Sequence, residues 1–256
     1  MIRILTALLL ISLVVVVNFY APGWLVGTVF TLVTLLCLRE FFDMAARLRL
    51  QPFRVVGYGA AAVLVLARDL PHPVFFVTLA AVLLVLSLQP GRSLDLCLGS
   101  VSATLLGVIY IGGSLALARE IHGLNPHWLF FVLLVNWVGD SAAYYVGRAI
   151  GRRPLAPRIS PNKTWEGTLA STFLGSAAAV AYLRYVPLDV PALEAALLGL
   201  GVNVAGQLGD LVESGLKRSA GVKDSGSLLP GHGGVLDRLD GLLFAVPAVY
   251  LVLFRL

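Results

Sequence analysis

"SGLKRSAGVKDSGSLLPGHGGVLDRLDG", Ser214 to Gly241, is polar, rich in glycine and dense in both signs of charge, with three Asp, two Lys, two Arg and one His. Long apolar runs close on it from both sides, 191–209 before and 241–256 after. Apolar runs of this kind are long enough, near the roughly 20 residues that a helix needs, to cross a bilayer. A backbone inside lipid must satisfy its own hydrogen bonds, so such runs are helices, and the polar stretch is a loop at the membrane edge.

The rest of the chain agrees. Of its 256 residues 58% are hydrophobic and only 13% charged, with a mean hydropathy of +0.88. A soluble domain carries about 25% charged residues, so lipid is the solvent for most of this surface. The first run, Ile4 to Tyr20, resembles a secretory signal, but it passes through "NFYAPGW" into a second run without a small-residue cleavage site and reads as a retained span. Cys37 and Cys97 have no ligand spacing and imply neither a disulfide nor a zinc site. Spans are expected at 4–20, 22–38, 54–67, 73–89, 96–118, 128–146, 167–186, 191–209 and 241–256. With the N-terminus in the cytoplasm, 15 of the 19 Lys and Arg fall in the inner segments 1–3, 39–54, 90–95, 147–166 and 210–240. The positive-inside rule selects this orientation, and it also supports the short third span. The expected fold is an all-α, polytopic membrane helix bundle of about nine transmembrane helices. Residues 1–125 are expected to anchor and pack, and 126–256 to form a catalytic region with cytoplasmic loops at 147–166 and 210–240. A compact chain without a targeting extension suggests a bacterial inner membrane, and small-residue faces such as "GSAAAVA" make a homodimer reasonable.

Chemistry concentrates in the second half. In the first half the exception is "LREFFDMAARLRL", where Glu40 and Asp43 share a helical face, explained equally by a solvated helix end with salt bridges or by a site. Asp140 lies inside the 128–146 span, where a carboxylate is costly and faces a partner, a cavity or an ion; pairing with Arg148 is the bland account. In "GRRPLAPRISPNKTWEG", Ser160 followed by Pro161 reads as a helix N-cap with Pro at the first helical position. That would put Lys163 in a first turn, where a cation implies an anion, and with Arg158, Arg153 and Arg152 it would make a phosphate cradle. Asp210, Glu213, Ser214 and Lys217 have the spacing of one helix face, and Asp237 and Asp240 that of another, on the first turn of the last span. Between them "LLPGHGG" cannot be regular helix, and its glycines let backbone N–H groups approach an anion. Carboxylates suit a hard divalent cation such as Mg²⁺, and Lys and Arg suit the phosphates it bridges.

The run Ser214, Lys217, Arg218, Lys223, Asp224, Gly226, Leu229, Pro230, His232, Gly233, Gly234, Asp237, Arg238 and Asp240 resembles the signature of the phosphatidate cytidylyltransferases, or CDP-diacylglycerol synthases. Asp140, Tyr144, Gly147, Gly151, Ser160, Pro161, Lys163, Thr164, Glu166 and Gly167 resemble the same family, which commonly carries Ser where this chain has Gly241. The resemblance implies a nucleotidyltransferase of phospholipid biosynthesis that converts CTP and phosphatidate to CDP-diacylglycerol and pyrophosphate. It implies metal ligation by Asp210, Asp237, Asp240 and Asp140, with Asp224 weaker, holding one Mg²⁺ ion or two. Lys217, Arg218, Lys223 and Arg238 would act with Asp237 and Asp240 in catalysis, and Ser160, Lys163, Ser214, His232, Gly233 and Gly234 would bind substrate. The partners expected are CTP, phosphatidate and the bilayer, with no nucleic acid. Two other classes share these parts: CTP-dependent activation of another lipid phosphate, such as an isoprenoid ether lipid, and a cation-coupled carrier. A carrier would be expected to show broken spans or paired halves, and neither is evident.

Overall fold

The computed structural model describes residues 2–67, 70–90, 93–229, 231 and 233–254. Among them, nine helices follow the nine apolar runs one to one. They are α1 (Ile2–Tyr20), α2 (Gly23–Arg47), α3 (Arg54–Leu66), α4 (His72–Ser87), α5 (Leu94–Leu124), α6 (Pro126–Ile150), α7 (Trp165–Tyr185), α8 (Ala192–Ser219) and α9 (Asp240–Leu253). By length and composition α2, α5, α6 and α8 can each cross a bilayer, while α3, α4 and α9 are apolar but shorter. Large apolar side chains such as Val55, Val77, Phe173 and Leu193 are exposed, as a lipid solvent allows. This is an all-α membrane protein.

The chain divides into two compact units, Met1–Arg119 with Leu216–Arg238, and Glu120–Gly215 with Leu239–Leu256. In the first, Phe53, Leu64, Val65, Leu79, Leu83, Val101, Val108 and Ala116 form a buried apolar cluster. Close approach around Phe42 depends on absent side chains: a Cβ on Gly57 of α3 or Gly107 of α5 would lie 2.7 or 2.8 Å from its ring. The N–H of Phe53, at the entry to α3, donates to Thr104 Oγ1 at 2.9 Å. Within α5, Val108–Gly113 widens to a π-helical turn, and beyond it Arg119 donates to the carbonyls of Val65 and Leu66 that close α3.

In the second unit α6 and α7 are the most extensively packed pair. Polar groups join its helices, where small residues and interhelical hydrogen bonds replace the hydrophobic effect as the source of association. Asn203 of α8 and Ser171 of α7 exchange hydrogen bonds at 3.2 and 3.3 Å. Gln207 donates to Thr172 Oγ1 at 3.0 Å, and His127 meets the Tyr182 hydroxyl at 2.7 Å.

Candidate active site

In the first unit the chain leaves α8 through a left-handed Gly221 (φ 70°), with the N–H of Val222 donating to the Lys217 carbonyl. Beyond it the N–H of Leu229 donates to the Gly233 carbonyl at 2.9 Å. Gly231 (φ 76°) and Gly233 (φ 79°) take positive φ, the freedom that glycine supplies. A 3₁₀ turn, Leu236–Arg238, then presents Asp237 to the loop interior. The Asp237 carboxylate accepts from Lys217 Nζ at 2.6 Å, from the Gly234 N–H at 2.8 Å and from the Ser225 N–H at 2.9 Å. Burial acts to raise the Asp237 carboxyl, but the hydrogen bonds from Lys217, Gly234 and Ser225 outweigh it and hold the group below the ordinary carboxylate range.

A second carboxylate reaches the same loop. Glu40, from α2, is buried and accepts from the Ser225 hydroxyl at 2.8 Å and from the N–H groups of Val235 and Leu236 at 2.9 Å each. Three consecutive backbone donors, at 234, 235 and 236, are therefore turned onto the protein's own acids. Arg218, Lys223, Asp224 and Arg238 are exposed around this knot, and Arg218 donates to the Val222 carbonyl at 3.2 Å. His232 and Pro230 lie outside the described residues. Sequence reasoning did not single out Ser225, and it left open whether Glu40 belongs to a site without connecting it to this loop. The signal for Glu40 was the acidic pair it forms with Asp43 on one face near the end of an apolar helix, and the structure separates the two: Asp43 pairs with Arg54 instead.

In the second unit, the helix start expected at Ser160 and Pro161 is not formed. Ser160–Thr164 is a strand, β2, paired antiparallel with β1 (Pro154–Ala156), and α7 begins four residues later. Thr164 is the cap, its side chain accepting from the Gly167 N–H at 3.2 Å. Glu166 in the first turn accepts from the N–H groups of Arg152 and Arg153 and ties down the hairpin. Lys163 consequently stands before the helix, not in its first turn, and makes an ion pair with Asp210. The Ser214 hydroxyl also donates to Asp210, at 3.3 Å. Asp237 and Asp240 do not share a helical turn either, because Asp237 is pinned in the 3₁₀ turn and Asp240 opens α9. The Asp240 carboxylate accepts from the Gly241 N–H at 2.7 Å, and the charges of Asp210, Glu213 and Asp140 all reach it.

Asp140, Asp210 and Asp240 offer carboxylate oxygens alone, the donor set of a hard divalent cation. The Lys163 ammonium already pairs with Asp210 and neutralises one of the three. Among the described residues no three His, Cys, Asp or Glu side chains are gathered tightly enough to hold an ion as they stand.

The cytidylyltransferase family model matches residues 1–256. The chain belongs to the cytidylyltransferase family. Curated relatives in the same family include a phosphatidate cytidylyltransferase of Bacillus subtilis, 41% identical over 180 residues, which are 69% of this chain and 67% of the relative. Proteins of the same name from Staphylococcus saprophyticus and Staphylococcus aureus (strain COL) are 38% and 39% identical over 59% of this chain and 58% of their own length.

Proposed function

We infer that this cytidylyltransferase transfers the cytidylyl group of CTP to phosphatidate, giving CDP-diacylglycerol and pyrophosphate, at the cytoplasmic face of a bacterial inner membrane. The observation that carries the reading is the family match along the whole chain, beside curated relatives named for that reaction. We assign nine membrane crossings with the N-terminus inside, on the 15-to-4 split of basic residues. The small-residue helix faces suit a homodimer.

The nucleophile is an oxygen of the lipid's own phosphate, already anionic, so no strong general base is needed. It forms a bond to the α-phosphorus of CTP as the bond from that phosphorus to the pyrophosphate oxygen breaks. The obstacle is charge: two anions must meet, and more negative charge gathers on the departing pyrophosphate. Arg218 in the last turn of α8 and Lys223 and Arg238 on the loop, all exposed, bind the triphosphate. Lys217, aimed by Asp237, orients it, and Lys163 and Ser160 receive the lipid phosphate. Asp140, Asp210 and Asp240 would hold Mg²⁺, which when bound screens the phosphates and eases departure of pyrophosphate.

The test is purified protein in detergent with labelled CTP, Mg²⁺ and phosphatidate. CDP-lipid formation that chelation abolishes and added Mg²⁺ restores is the expected result. Turnover only with an isoprenoid ether lipid phosphate moves the assignment to that substrate, and no turnover with either lipid overturns it.

A further inference from the structure

Glu40 sits in α2, far in sequence from every residue assigned to the reaction, yet it is 7% exposed and spends both carboxylate oxygens on the loop. Its Oε2 accepts from the Ser225 hydroxyl and the Leu236 N–H, and its Oε1 from the Val235 N–H. Ser225 and the 234–236 segment are thus shared between two acids. The Ser225 N–H and the Gly234 N–H go to Asp237, while the Ser225 hydroxyl and the next two N–H groups go to Glu40. Space has been cleared for it as well. A Cβ on Gly226 would lie 2.6 Å from Glu40 Oε1, with only Glu40 atoms as its nearest neighbours, and a Cβ on Gly234 would collide with the Glu40 carboxylate and Ser225 Oγ. A successive run of backbone N–H groups is an anion-binding concavity, and this one is filled by an anion that the fold itself supplies.

We propose that Glu40 is a positioning residue: it takes the Val235 and Leu236 amides, fixes Ser225 and the 234–236 segment, and so sets the Lys217–Asp237 pair and the neighbouring cations for a nucleoside triphosphate. The nucleotide part rests on the function inferred above. The amides at 234–236 are then structural, and the triphosphate is held by side chains.

Glu40→Gln keeps the shape but turns one acceptor into an NH₂ donor, so at least one of the loop donors faces another donor. Misplacement of binding groups by about 1 Å costs on the order of 100-fold. The expected result is therefore a rise of about 10- to 100-fold in KM for CTP, with KM for phosphatidate changed less than about twofold. Hydrogen exchange at the Val235 and Leu236 amides of the intact chain should be at least about tenfold faster. Gly226→Ala should show the same pattern, and Glu40→Ala/Gly226→Ala should be no worse than Glu40→Ala, since the clash has lost its partner. A fall in kcat with both KM values unchanged means fewer folded molecules and overturns the proposal, as does exchange that stays at the wild-type rate. A wild-type chain inert toward CTP sinks the functional reading and the nucleotide half with it, while the amide exchange still decides whether Glu40 positions the loop.

Discussion

The Lys217 and Asp237 side chains retain 11% and 4% of their exposure and meet at 2.6 Å, whereas Arg54 and Asp43 meet at the same distance with 38% and 49%. The exposed pair contributes about 0–1 kcal/mol. The buried one behaves differently, because removing one partner strands a charge, at a cost of about 3–5 kcal/mol. Asp237→Asn and Lys217→Met should each lower the melting temperature and abolish turnover. Lys217→Met/Asp237→Asn should recover part of the stability, because the Asn carbonyl still accepts from the Ser225 and Gly234 amides, but none of the turnover, as thermal unfolding and CDP-lipid formation on the same preparations will show. The sign of the pH dependence follows from the lowered Asp237 carboxyl. Its stabilisation is fully present above the unfolded value of about 3.9, and is lost as pH falls through the still lower folded value. The stability gap between wild type and Asp237→Asn should therefore be flat from about pH 8 to pH 5 and close only below about pH 4, measured by denaturation across that range.

At the scale of elements, α6 and α7 meet through glycine. A Cβ on Gly167 would lie 2.7 Å from the Ala143 carbonyl oxygen, a backbone atom that cannot swing aside, whereas one on Gly201 of α8 would meet nothing within 4 Å. Gly167→Ala should therefore be strongly destabilising. Gly201→Ala should be neutral or stabilising by up to about 1 kcal/mol through helix propensity, both read by thermal unfolding in one detergent. The helices were legible in the sequence because hydropathy alone sets where lipid ends. The hairpin was not. Ser160-Pro161 and Thr164-Trp165-Glu166 both carry start signals, and the choice falls to Thr164, whose hydroxyl would lie 3.0 Å from a Cβ on Gly147 of α6 and 2.8 Å from one on Gly151 just beyond it, and to Glu166, which takes two hairpin amides. The acids of the Ser214–Gly241 stretch were legible as residue types, but their partners were not. No local periodicity connects Glu40 to Leu236, 196 positions away. The chain's departure at Gly241 gains a local meaning too, since a Cβ there would press on Asn136 Oδ1 and the Gly206 carbonyl at 3.2 Å.

For the whole molecule, the proposed orientation can be tested directly. With Cys37 and Cys97 replaced, single cysteines at Arg49 and Ser227 should react with a membrane-impermeant thiol reagent only from the cytoplasmic side, and one at Asp189 only from the opposite side, in sealed vesicles of known orientation. Labelling of Arg49→Cys and Asp189→Cys from the same face would remove the nine-crossing topology. The chemistry assigned to the loop asks for that arrangement, because a soluble nucleotide arrives from the cytoplasm while the acyl tails of its partner stay in lipid.

The wide turn at Val108–Gly113 works as a shim in a long rod. One surplus residue in that turn advances everything after it by about 100° of helix phase, and this phase is what aims the Arg119 guanidinium at the last carbonyls of α3. Trimming a single residue there, for example Ile109, would restore an ordinary spiral yet swing Arg119 toward the hydrocarbon. A shortened rod of better local geometry should then give a less stable protein, and unfolding of the deletion variant against wild type measures that penalty.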